Sequence, residues 1–131
     1  MSGCTALSSL YSNNNQLESL NVSGCTMLSL LYCNNNQLEG LNVNFTGPAS
    51  SCQLNCSNNQ LESLIVNTIG GRLARLNCSN NKLSASALNA FFNSLSYVGG
   101  YGYSSIDISS NPGADDCDRS IAENKGWDFS Y

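Results

Sequence analysis

The sequence predicts an α/β fold: a stack of short repeats, each giving one strand to a parallel sheet, closed at its C-terminal end by helices. Three observations predict it. A leucine pattern recurs every 21 to 23 residues between Leu7 and Leu83. Apolar positions alternate inside each recurrence, as they do along a half-buried strand. An asparagine returns at the same place in every copy.

The copies align by inspection. Leu7-Ser-Ser-Leu10-Tyr-Ser12-Asn-Asn-Asn15-Gln-Leu17 is matched by Leu28-Ser-Leu-Leu31-Tyr-Cys33-Asn-Asn-Asn36-Gln-Leu38. A third copy runs Leu54-Asn-Cys56-Ser-Asn-Asn59-Gln-Leu61, and a fourth Leu73-Ala-Arg-Leu76-Asn-Cys78-Ser-Asn-Asn81-Lys-Leu83. A degenerate fifth is Ile106-Asp-Ile108-Ser-Ser-Asn111. Leu10 and Ser12 alternate, as do Leu31 and Cys33, so each L-x-[CLIS] triplet reads as a short strand with its period-2 face inward. No single repeat can bury its leucines alone, but stacked repeats share one core. The aligned Asn15, Asn36, Asn59, Asn81 and Asn111 are expected to form an internal ladder. Their amides would satisfy backbone groups freed where the chain leaves each strand.

The shared pattern, L-x-x-L-x-[LCIS]-x-x-N-x-L, resembles that of the leucine-rich-repeat family. The resemblance covers roughly residues 5–113. A second run, Leu17-Glu-Ser-Leu20-Asn-Val22, recurs as Leu38-Glu-Gly-Leu41-Asn-Val43 and Leu61-Glu-Ser-Leu64-Ile-Val66. That short style is similar to bacterial secreted and surface proteins of the internalin-like type. The resemblance implies a right-handed solenoid with a concave parallel sheet, an extracellular or cell-surface location, and binding of a protein or carbohydrate on the concave side.

The remaining elements follow in order. Asn44–Ser51 and Asn67–Gly71 lengthen their repeats and carry Gly or Pro, so both read as loops opposite the sheet. Ser84 reads as an N-cap. Ala87, Leu88, Phe91, Phe92 and Leu95 then form a helical core stripe. Ser96–Ser104 is a Gly/Tyr-rich loop. A second helix is expected from about Asp118 to Lys125, with Gly126 as its stop. Trp127–Tyr131 alternates like a final strand. The organisation is therefore a solenoid of about five coils over residues 1–113, with a helical insertion near 84–95, and a C-terminal cap over 114–131. Gly3-Cys4-Thr5 matches Gly24-Cys25-Thr26, so the chain is read as starting within a repeat.

Bulk composition excludes several function classes. Ser and Asn supply 42 of 131 residues, while charged residues are only 11%, against about 25% in ordinary domains. Net charge is −4, with five basic residues, too few to neutralise a phosphate backbone, so no nucleic-acid partner is expected. No apolar run reaches the ~18 residues that span a bilayer, and no signal-peptide pattern is present. Histidine is absent, which removes the commonest general acid/base and every His-containing metal site. No cofactor and no metal are expected, and the chain is read as a monomer.

Cys33, Cys56 and Cys78 lack C-x-x-C spacing and occupy inward positions, so they read as small core hydrophobes. Cys52 and Cys117 stay open for a disulfide. The outward strand positions stack into columns, and the candidate binding residues are Tyr11, Leu30, Tyr32, Gln53, Asn55, Arg75, Asn77 and Asp107. Aromatics beside amides and hydroxyls suit polar ligands. Glu18, Glu39 and Glu62 read as exposed, screened carboxylates, with a divalent cation as the alternative. Asp115, Asp116 and Asp118 lie before a helix, which explains their charge. Four N-x-[ST] sequons occur, at Asn21, Asn44, Asn55 and Asn77. Two of them fall in strands, where a glycan would block the sheet.

The reading is therefore a non-enzymatic binding module. The alternatives are a structural spacer or targeting domain of a larger protein, and a carbohydrate-active parallel β-helix enzyme. Converging carboxylates would be needed for the last, and the outward columns offer only Arg75 and Asp107.

Overall fold

The computed structural model describes residues 4–48, 50–68, 73–98 and 104–130, without the side chain of Leu73. The order of elements is β1 (Ser9–Tyr11), β2 (Leu30–Tyr32), β3 (Gly40–Phe45), β4 (Ser51–Asn55), β5 (Ser63–Thr68), β6 (Leu73–Asn77), α1 (Ala85–Ser94), β7 (Ser104–Asp107), α2 (Ser120–Glu123) and β8 (Trp127–Phe129). The fold is mixed α/β. Six strands form one parallel sheet in the order β1-β2-β4-β6-β7-β8, and β3 pairs with β5 in a second parallel sheet.

The leucine repeat sets the register. Leu10 pairs with Leu31, Leu31 with Leu54, Leu54 with Leu76, Leu76 with Ile106, and Ile106 with Phe129. This column faces inward; Leu31 and Ile106 are fully buried. A one-residue slip would turn the whole column out to water, at about 1.5–3 kcal/mol for each large apolar side chain. Register is therefore strongly specified.

The strands end one residue earlier than the triplet reading places them. At the third position the chain has already left the sheet. One bond carries over: Cys33, Cys56 and Cys78 donate their N–H to Asn55 O, Asn77 O and Asp107 O, each at 2.9 Å. Two residues further, Asn14, Asn35, Asn58, Asn80 and Ser110 all sit at φ between 54° and 58°. This left-handed conformation penalises a Cβ, and Asn tolerates it best after Gly. The sharp turn aims the next residue, the ladder asparagine, inward.

Asn36, Asn59, Asn81 and Asn111 are buried, at 7–8% exposure. Each does the same work. Asn59 Nδ2 donates to Cys56 O in its own repeat (3.1 Å) and to Cys33 O in the preceding one (3.0 Å). Its Oδ1 accepts from Leu38 N–H at 3.0 Å. Asn36, Asn81 and Asn111 bind Leu17, Leu61 and Leu83 N–H in the same way. Asn15 departs from the expectation. It is exposed, and its Nδ2 reaches only Ser12 O and Asn13 O in its own repeat. No described repeat precedes it to cover it.

The two loops expected opposite the sheet begin as strands. β3 runs through Phe45 and β5 through Thr68. The alternation continues inward through Val43, Phe45 and Val66, all fully buried. Asn67 Nδ2 bridges to Asn44 Oδ1 at 2.6 Å on the outer side. The bend starts at Gly47, and residues 69–71 lie outside the described set. Gly47 lies over Met27, where a Cβ would come within 3.0–3.1 Å of backbone.

α1 packs along the free edge of β5. Ser84 Oγ caps it by accepting from Ala87 N–H at 3.2 Å. Leu88, Phe91 and Phe92 are its buried face, while Ala87 is half-buried. Ser94 Oγ accepts from Val66 N–H (3.3 Å), and Ser96 Oγ donates to Thr68 O. These hydroxyls occupy backbone groups that another strand would otherwise take.

α2 is shorter than expected. Turns carry residues 112–117, and a single helical span covers Ser120–Glu123 before Gly126 at φ 92°. This C-terminal segment locks onto α1. Lys125 Nζ donates to Phe92 O, Asn93 O and Leu95 O at 2.8–3.1 Å. Trp127 Nε1 donates to Ser96 O at 3.0 Å. Gly113 sits against the start of α1, where a Cβ would meet Ala85 N at 2.0 Å. β8 completes the six-stranded sheet; Tyr131, expected to end it, lies outside the described residues.

Candidate functional site

The outer face of the six-stranded sheet carries every candidate binding residue. In register, Tyr11, Tyr32, Asn55, Asn77 and Asp107 form one column across five strands. Ser9, Leu30, Gln53, Arg75 and Ser105 form the next. A cavity of about 260 Å³ opens between the two columns. Tyr32, Gln53, Asn55, Arg75, Asn77 and Asp107 line it, together with Leu54, Leu76, Ser105 and Ser130. Tyr11 and Leu30 lie outside it. Tyr11 still joins the site through its ring, which meets Tyr32 edge-on at 5.3 Å between centroids and 82° between planes.

The side chains in the first column are held rigidly. Asn55 Oδ1 accepts from the N–H and the Oγ–H of Ser57 (3.1 and 2.7 Å). Asn77 does the same with Ser79 (3.0 and 2.7 Å), and Asp107 with Ser109 (2.9 and 2.7 Å). A backbone N–H can only donate, so Oδ1 must be the atom turned toward the serine. The amide NH2 groups of Asn55 and Asn77 are thereby turned away from it, as is the second oxygen of Asp107. Tyr32 Oη donates to Gln53 Oε1 at 3.1 Å, which orients that amide in the same sense.

Sequence reasoning stacks Ser57, Ser79, Ser105 and Ser109 on the outward face but names no serine among the binding residues. Ser57, Ser79 and Ser109 fix the site residues, while Ser105 and Ser130 line the cavity. A signal was present: Asn55-Cys-Ser57, Asn77-Cys-Ser79 and Asp107-Ile-Ser109 share one spacing. Two of these match the glycosylation sequon. Their third member, with Asp in place of Asn, marks them as side-chain-locked turns instead.

The inward thiols lie on the opposite side of the strands. Cys33, Cys56 and Cys78 are fully buried. Burial pushes the Cys33 thiol up to about 12. Cys56 and Cys78 are raised too, first by burial, then by neighbouring charge. They are core residues with no thiolate character near neutral pH. None of the seven cysteines, Cys52 and Cys117 included, is in a disulfide. Among the described residues no group of three or more His, Cys, Asp or Glu is placed to hold a metal ion.

A second hollow, of about 550 Å³, lies on the outer side of β3 and β5, between Leu20, Asn42, Asn44 and Ile65. No helix among the described residues is long and apolar enough to cross a membrane. No family model, curated protein or solved structure matches the chain.

Proposed function

We propose that this chain is a leucine-rich-repeat binding module, a right-handed solenoid whose six-stranded sheet presents its outer, concave face to a protein or carbohydrate. Within that class it is of the short-repeat bacterial type, working outside the cell or on its surface. Three features support the class: the L-x-x-L-x-[LCIS]-x-x-N-x-L pattern, one strand of the six-stranded sheet per repeat, and one buried asparagine in each of four repeats.

The observation that carries the binding role is the coincidence of site and cavity. Six of the eight residues named from outward stacking alone line the hollow on the sheet's outer face. The polar groups of Gln53, Asn55, Asn77 and Asp107 are oriented by neighbouring side chains, as preorganised recognition requires. The same face argues for binding without chemistry. Among the described residues, Arg75 and Asp107 are the charged ones that line the cavity, and none of these pairs a base with a nucleophile there.

The test is a screen of glycan and protein arrays with the native chain and with the double variant Tyr11→Ala/Tyr32→Ala. Ligands captured by the native chain should be lost by the variant, whose unfolding transition stays cooperative. Ligands that bind both alike would place the site elsewhere. An array with no ligand at all would favour the spacer reading.

A further inference from the structure

The geometry points to an acidic sugar, a hexuronate unit within an oligosaccharide, as the ligand of the cavity on the six-stranded sheet. This rests on the binding role proposed above and narrows it to one chemistry.

The cavity divides by its two columns. On one side stand Gln53, Arg75 and Ser105, in register on neighbouring strands. Gln53 has its carbonyl occupied by Tyr32 Oη, so its NH2 is what remains. Arg75 is exposed, and its guanidinium has no hydrogen bond to any described residue. This side is a set of donors around one cation, the complement of a carboxylate. On the other side stand Asn55, Asn77 and Asp107. Their serine locks leave two amide donors and one carboxylate oxygen. Sugar hydroxyls both donate and accept, so they need such a mixed set. A carboxylate flanked by ring hydroxyls is what a hexuronate offers.

Two further features separate a sugar from a peptide. Among the described lining residues the aliphatic side chains are Leu54 and Leu76, which are 2% and 3% exposed and belong to the core. Protein partners anchor themselves through apolar or aromatic side chains sunk in pockets, and no such pocket opens here. Beyond the cavity, Tyr11 stands 63% exposed beside Tyr32. This ledge offers an aromatic face to the next ring of an extended oligosaccharide.

The experiment is titration calorimetry at physiological ionic strength with three probes: β-1,4-tetramannuronate, mannotetraose and heptaglutamate. The first two share one ring and differ in a carboxylate against a hydroxymethyl group. The proteins are the native chain, Arg75→Gln, and Lys82→Gln, which makes the same charge change at an exposed residue paired with Gln60. Tetramannuronate should bind the native chain and Lys82→Gln alike, and Arg75→Gln about tenfold or more weaker. Mannotetraose should fall short of tetramannuronate by a similar factor. The proposal is overturned if tetramannuronate shows no saturable binding, if mannotetraose matches it, or if Arg75→Gln binds it unchanged. Heptaglutamate binding as tightly would assign the site to acidic peptides. If array ligands vanish with Tyr11 and Tyr32 while tetramannuronate fails, the binding face stands and the sugar assignment falls. If array ligands ignore that face, both fall.

Discussion

At the residue scale, asparagine accounts for the chain. One type of side chain fills three roles: the left-handed turn, the buried ladder and the outward donor. The ladder role is the most costly to lose. Asn59→Ala would orphan Leu38 N–H in the core, at about 1–3 kcal/mol for that donor alone. Asn15→Ala, at the exposed position, should cost well under about 1 kcal/mol. Urea unfolding of the two variants checks the contrast. The buried thiols give a second expectation. Cys33, Cys56 and Cys78 titrate higher folded than unfolded, so their contribution is intact below the unfolded thiol pKa, near 9. Above it the unfolded chain loses protons that the folded chain keeps. Stability should then fall by about 1 kcal/mol per pH unit per thiol, until each native thiol ionises (about 12 for Cys33). Denaturant midpoints from pH 8 to 11 measure this, and a flat profile would contradict it.

At the element scale, the C-terminal segment shows how local signals and long-range contacts divide. Ser84 and the stripe through Phe91 and Phe92 specified α1 in the sequence, because a cap and a 3.6-residue period are local. Nothing local shows that Lys125 crosses to the last carbonyls of α1, 30 to 33 residues away. Lys125→Met keeps most of the apolar stem but leaves those carbonyls without the ammonium. It should lower stability by about 1–2 kcal/mol, read as a lower melting temperature with an unchanged far-ultraviolet spectrum. β3 and β5 were missed for a related reason. Asn44–Phe45 and Asn67–Thr68 stand beside Gly and Pro, and those breakers masked an alternation that pairing across repeats sustains. Strand ends shifted by one residue because the Cys N–H bond continues past the last paired position.

At the scale of the whole molecule, the repeat made the parallel sheet and its outward columns legible before any coordinates. Six of the eight residues named by counting along each copy line the cavity on the outer face. The donor orientation did not, since it depends on serine hydroxyls closing back two residues later. Composition acquires a physical meaning here. A chain with few charges and many asparagines buries some amides as cross-links between repeats and turns others outward on the face proposed to bind. Solvent exchange of the individual asparagine side-chain NH2 protons, followed by nuclear magnetic resonance, tests that division directly. The NH2 groups of Asn36, Asn59, Asn81 and Asn111 should exchange slowly, and those of Asn55 and Asn77 rapidly. Rapid exchange at the four ladder positions, or slow exchange at Asn55 and Asn77 in the absence of ligand, would contradict it.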